Sequence, residues 1–178
     1  MTCVRSYPQV GSWIASPHAQ RQGLFAIPRR CVITSDRLHE VTRLLHLADS
    51  HTDPNPGRDH ITGLDHALRV AALGSKVSDE LAFVGLVHDL ARPLSDVHHG
   101  EVIAEVVRDR VSEAAYQVLR THGHYQAALL HDTPIPDEPW THSAVQLAAF
   151  EAASFAAGYA RPELDVDQAH ELLERWLG

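Results

Sequence analysis

From Ser35 onward, apolar residues recur at intervals of three and four, and no segment shows convincing strand alternation. Leu38, Val41, Leu44, Leu45 and Ala48 make one apolar face, with Ser35 or Asp36 placed as N-cap. Ser50 to Asp59 interrupts the pattern with Pro54, Pro56 and Gly57 and reads as a loop. A second helix is expected from about Thr62 to Leu73, with Leu64, Ala67, Leu68 and Ala71 inward and Gly74 stopping it. Ser78 and Asp79 cap a third, Glu80 to Leu90. Its run Leu-Ala-Phe-Val-Gly-Leu-Val is apolar nearly all round, which marks a central, buried helix. Arg92-Pro93 ends it, leaving His88 and Asp89 at a C-terminal end that faces a loop mouth. His99 to Arg110 follows, with Val102, Ile103, Val106 and Val107 inward. Ser112 caps a fifth helix through Ala115, Val118 and Leu119 that ends at His122. Thr133 to Trp140 carries three prolines and reads as a loop. Thr141 or Ser143 caps a helix of small residues to Ala157, closed by Gly158. A last helix, Val166 to Leu177, carries Leu172, Leu173 and Trp176.

The expected architecture is an all-α bundle over residues 35–178, one domain in a chain of 178 residues and 19.7 kDa. Residues 1–34 have no sustained period and scattered Pro and Gly, and read as an irregular or disordered arm. The arm contains a valine, Val32, at which an alternative start is conceivable. The formal charge of -8 and the lack of basic runs argue against nucleic acid or an anionic membrane as partner. Cys3 and Cys31 lie away from every histidine candidate and suggest neither a disulfide framework nor a thiolate metal site. No apolar run is long enough for a bilayer and no secretory signal is convincing, so the cytoplasm is the expected location. Oligomeric state is not legible.

Fourteen histidines change the picture, because neutral imidazole is the commonest transition-metal ligand. The informative pair is His88-Asp89, inside an apolar helix. A buried carboxylate is costly unless a cation or a full set of hydrogen bonds compensates it. His66 lies one helix upstream, in the first half of a helix with its own apolar face. Two imidazoles and a carboxylate make a nitrogen and oxygen donor set suited to iron, manganese or zinc. The alternative is a helix-end His and Asp that merely cap and hydrogen-bond.

His66 in an H-x-x-x-V-A helix, followed by the His88-Asp89 helix, resembles the HD superfamily of helical metalloproteins. With the later histidines it resembles the six-ligand, two-metal branch, H…HD…H…H…D. Within that branch it is most similar to small HD-domain proteins associated with phosphonate breakdown, some of which are diiron oxygenases. The resemblance covers roughly Ser35 to Leu177. It implies an HD-domain helical bundle holding two metal ions, iron in an oxygenase and manganese or another divalent cation in a hydrolase. The implied ligands are His66, His88, Asp89 as the bridge between the two ions, His99, His122 and Glu151. His99 has Ala104 five positions on, as the family's packing requires, with His98 as its competitor. His124 competes with His122. The last ligand departs from the pattern: the family's Asp helix, R-x-W-D-D-A-A, is matched by Ala149-Phe-Glu-Ala-Ala153, which puts Glu151 where Asp would be. The extra methylene shifts the carboxylate oxygen by about one carbon–carbon bond, and an ordinary helix carboxylate is the alternative.

The substrate positions of the resemblance are altered. Pro56 and Asp59 stand where the oxygenases carry Tyr-x-x-Glu, so a carboxylate is kept and the aromatic is lost. Arg92 stands where a His often closes the H-D-x-G-H run, and an Arg forks well onto a phosphoryl group. Gln126 replaces a Lys, and the phosphonate-holding segment is shortened to Asp132–Thr141. Arg69 and Arg120 are expected to face outward. Asp89 and Asp59 are thereby the candidate catalytic carboxylates, and Arg92 and Gln126 the candidate contacts for a small anionic substrate bearing a phosphonate or phosphate. Three readings follow. The first is a diiron-type oxygenase. The second is a metal-dependent hydrolase of small phosphoesters. The third is a degenerate HD module that binds without turnover.

Overall fold

The structure, a computed structural model, describes residues 37–52, 61–155 and 164–178. The expectations for residues 1–34, for the Ser35 or Asp36 cap, for Asp59 and for the Ala157–Gly158 helix end lie outside them. The described residues form seven helices: α1 (Arg37–Asp49), α2 (Gly63–Ser75), α3 (Asp79–Val87), α4 (His99–Val107), α5 (Glu113–His131), α6 (Thr141–Ser154) and α7 (Val166–Leu177). Among them there is no strand, only an isolated bridge between Thr52 and Thr62. The all-α bundle expected from the periodicity is the observed fold.

The helix starts follow local chemistry. Thr62, Ser78 and Ser112 sit in extended conformation and accept a hydrogen bond from the backbone N–H three residues on, as an N-cap does. Asp165 and Gln168 close a reciprocal capping box at the start of α7. Glu80, in the first turn of α3, accepts from both the backbone N–H and the hydroxyl of Ser112, tying α3 to the start of α5.

α3 is the hub. Every residue from Leu81 to Val87 is buried, so its neighbours cover it on all sides. α2 lies along it, α5, α6 and α7 also touch it, and α1 closes against α2 and α7. Phe83 stacks on Trp176 of α7 with centroids 5.1 Å apart, and burial of such a ring contributes about 1.5–3 kcal/mol. The α2–α3 approach is close enough that a Cβ at Gly74 would come within 2.5 Å of the Leu81 carbonyl oxygen.

Several boundaries differ from the sequence expectation, each for a packing reason. Gly74 lies inside α2 rather than ending it; its lack of a side chain serves the contact with α3. α3 ends at Val87, with His88 as C-cap, and the chain then turns through Leu90 and Arg92. α4 is shorter than expected, ending at Val107. α5 does not stop at His122 but continues to His131, because Tyr125 and Ala128 extend the buried stripe past Gly123. It ends where Asp132 takes a left-handed conformation (φ 50°), one that Asp adopts more readily than most residues. Thr141 does not cap α6; Trp140 is the N-cap, without a side-chain bond, and the Thr141 hydroxyl accepts from Glu138 N–H and donates to the Pro136 carbonyl.

Candidate metal centre

Four helices and the turn after α3 deliver six ligand-type side chains to one place. His66 comes from α2, His88 and Asp89 from the end of α3, His99 from the first residue of α4, His122 from mid-α5 and Glu151 from α6. None is more than 9 % exposed. The turn beyond α3 lets the adjacent His88 and Asp89 both face inward, which two neighbours on a continuing helix do poorly. His122 lies on the stripe Ala115–Leu119–Tyr125, and Glu151 on the stripe Ala144–Ala148–Ser154.

The histidine tautomers follow from their partners. The Nδ1 atoms of His88, His99 and His122 lie 2.8 Å from the carbonyl oxygens of Gly85, Asp96 and Leu119, each three residues earlier. A carbonyl only accepts, so each Nδ1 carries the proton. His66 Nδ1 lies 2.8 Å from the Ser154 hydroxyl, which donates its own proton to the Glu151 carbonyl and so accepts from His66. All four Nε2 atoms are thereby turned inward.

They meet in two groups. His66 Nε2 and His88 Nε2 are 3.2 Å apart, and His99 Nε2 and His122 Nε2 are 3.1 Å apart. Asp89 lies between the groups. Its Oδ1 is 3.0 Å from His99 Nε2 and 3.3 Å from His122 Nε2, and its Oδ2 is 3.7 Å from both His66 and His88 Nε2. Donors sharing one cation at about 2.0–2.1 Å lie about 2.9–3.4 Å apart. The Asp89–His99–His122 triangle fits that spacing on every edge. His66, His88 and a Glu151 oxygen form a second, looser group, with ligand atoms within 4.8 Å of one another. These buried groups could hold metal.

The donor set also fits a cation electrostatically. Glu151 Oε1 is buried with no hydrogen-bond partner, while Oε2 accepts from Gln126 at 2.6 Å. Burial, opposed by His122, pushes the Glu151 carboxyl up to about 7. Burial would raise Asp89 too, but His88, His122, His99 and Arg92 together hold it well below the usual carboxylate range. Burial takes His88 down to about 3. On His122 burial also presses toward neutrality, yet the hydrogen bond to Asp89 and the charges of Glu151 and Asp89 raise it to about 9. Two buried carboxylates thus create a demand for positive charge here.

The surroundings place the remaining candidates. His98 points outward to Glu101 and His124 is exposed, so His99 and His122 are the inward members of those pairs. Arg92 donates from Nη1 to Asp89 Oδ2 at 3.1 Å and from Nε to Asp96 at 3.3 Å. Arg120 is exposed, as expected. Arg69 is not: it turns toward α6 and donates to the Ser154 carbonyl at 3.0 Å, near the helix end where carbonyls lack helical partners. Asp89 and Arg92 border two clefts. One is mostly apolar, between Ala48, Ile61, Pro93 and Phe155, and reaches His66; the other is more polar, with Asp96, Arg120 and Gln126, and reaches His99 and His122.

Sequence reasoning missed Ser154 and Phe155. Ser154 orients His66, and Phe155 stacks on the His66 ring at 4.5 Å. Ser154 follows Glu151 by three residues on the same helix face, the one signal available for it. No protein-family model matches this chain, and no curated protein matches it. Among the described residues no helix is long and apolar enough to cross a membrane.

Proposed function

We propose that this chain is a dinuclear metalloenzyme of the HD type, an oxygenase acting on a small anionic molecule. The observation that carries this reading is Asp89, whose two carboxylate oxygens face two separate histidine pairs. His66, His88 and Glu151 would hold one ion, His99 and His122 the other, and Asp89 would be shared. With near-equal edges of 3.0, 3.1 and 3.3 Å, Asp89, His99 and His122 would hold their ion from one side. Two histidines and one carboxylate on one face, with the other face open, is the donor pattern of non-haem iron oxygenases. When bound, two such ions supply Lewis acidity for an anionic head group and, as iron, the redox capacity to use dioxygen.

The chain's own residues do the rest. Gly85, Asp96 and Leu119 carbonyls and the Ser154 hydroxyl keep every Nε2 lone pair aimed inward. The Arg92 guanidinium, on the border of both clefts, attracts the anionic group of a substrate. Phe155, Ile61 and Ala48 exclude water from the His66 side.

The test is elemental analysis of protein purified without oxygen and without added metal, followed by oxygen-uptake assays on small phosphonates and related anions. About two irons per chain with substrate-dependent oxygen consumption is the expected result. Oxygen-independent phosphate release supported by manganese would replace the oxygenase with a phosphohydrolase at the same centre. Metal well below one per chain would overturn both in favour of a binding module.

A further inference from the structure

Resting on the dinuclear reading, the two half-sites are not equivalent, and the difference lies in one carboxylate oxygen. Asp89 Oδ1 faces only imidazoles, His99 at 3.0 Å and His122 at 3.3 Å. Asp89 Oδ2 lies 3.7 Å from both His66 and His88, but 3.1 Å from Arg92 Nη1. The cation closest to the oxygen that the His66–His88 site must use is therefore a guanidinium of this chain. Arg92 is held there from several directions. Its backbone N–H donates to the Asp89 carbonyl at 2.9 Å, and its Nε donates to Asp96 at 3.3 Å. The other carboxylate of that site is partly committed too, since Glu151 Oε2 accepts from Gln126 at 2.6 Å.

We propose that Arg92 sets the order of metal loading, filling the Asp89–His99–His122 site first and tightly and leaving the His66–His88–Glu151 site weaker. The physical reason is competition for one anionic oxygen. A dication arriving beside His66 and His88 shares Asp89 Oδ2 with a fixed positive charge that repels it. The side chain of Arg92 is 31 % exposed, so water screens part of that repulsion and the effect is a graded affinity difference rather than exclusion. The Asp89–His99–His122 site meets no such competitor on Oδ1.

The probe is Mn2+ alone, added under anaerobic conditions to the full chain freed of metal by a chelator and shown by circular dichroism to remain helical. Electron paramagnetic resonance counts free ions and reports spin coupling between bound pairs. The wild type is expected to bind one ion tightly and a second on the order of 10–100-fold more weakly, the size typical of groups that act on ligands from behind. Arg92→Gln, which keeps a donor and removes the charge, is expected to tighten only the weaker site, on the order of tenfold or more. The coupled two-ion signal would then appear at lower Mn2+. Arg92→Lys, which keeps the charge, is expected to stay close to the wild type. Two equal sites in the wild type, or an inequality that Arg92→Gln leaves unchanged, would overturn the inference and leave the dinuclear reading standing. No binding of Mn2+ or Fe2+ to any of the three proteins would overturn both.

Discussion

Gly100→Ala tests whether the centre depends on helix packing as well as on its ligands. Gly100 follows His99 in α4 and faces α5. A Cβ there would lie 2.6 Å from the Leu119 carbonyl oxygen, 3.0 Å from His122 Cε1 and 3.1 Å from His122 Nδ1. Ordinary contact begins near 3.4 Å, so 3.4 − 2.6 leaves α4 to retreat by about 0.8 Å. The Leu119 carbonyl is also the acceptor that orients His122, so the clash strikes ligand and orienting group together. The same retreat would open the His99–His122 separation from 3.1 Å toward about 3.9 Å, outside the roughly 2.9–3.4 Å of neighbouring donors on one cation. Overpacking of this kind costs about 1–3 kcal/mol, roughly 2–12 °C in Tm for a domain of this size. Affinity at the Asp89–His99–His122 site should fall on the order of 10–100-fold. The control is Gly123→Ala, beside His122 on the same helix, where a Cβ would meet nothing within 4 Å. It removes a helix-interior glycine and should stabilise by about 0.5–1 kcal/mol with metal binding intact. Thermal melts with and without chelator, paired with Mn2+ titration, measure both variants. If Gly100→Ala melts and loads like the wild type, the α4–α5 approach does not set the geometry of His122. If Gly123→Ala is equally harmful, the damage is general to α5.

Ser154→Ala removes the acceptor of His66 Nδ1 without touching a ligand. It should weaken the His66–His88–Glu151 site on the order of tenfold and spare the other, read as metal per chain at limiting supply. Equal weakening of both sites would refute this. Proton competition gives a pH dependence. His122, raised to about 9, must lose a proton to ligate, so Mn2+ binding at its site should release protons and tighten up to about tenfold per pH unit, levelling above about 9. The same raised value means that His122 supports the chelated fold fully below about 6.5, and that this support fades as pH rises through about 9. Calorimetry in buffers of different ionisation enthalpy and melts across that range check both signs. Finally, metal at about one hundred times its Kd should stabilise by about 2.7 kcal/mol, or roughly 5–11 °C, and a chelator should reverse it; no shift would mean that folding does not build the site.

The helices and their inward faces were legible along the chain, because burial against neighbours imposes a 3.6-residue period that needs no partner to be named. α7 begins and ends where Val166 to Leu177 predicts, and the all-round apolar run of α3 marked it as the hub. His66 and His88-Asp89 stood out because polar groups on apolar faces need a reason to be there. Helix starts were most legible where a capping side chain acts locally, as Ser78 and Ser112 do. Gly74, read as a stop, and Gly123, just past the expected helix end at His122, both sit inside helices, since only a neighbour's proximity or the continuing stripe of Tyr125 and Ala128 distinguishes a tolerated glycine from a terminator. The resemblance had named His99 and His122; tertiary structure turned them inward and left His98 and His124 outside, because one residue along a helix turns a side chain by about 100°. It alone set Ser154 behind His66, turned Arg69 inward and brought Arg92 onto Asp89 Oδ2. Those are distances between side chains on different helices or across a turn, fixed by how the apolar faces close on one another and carried by no local pattern.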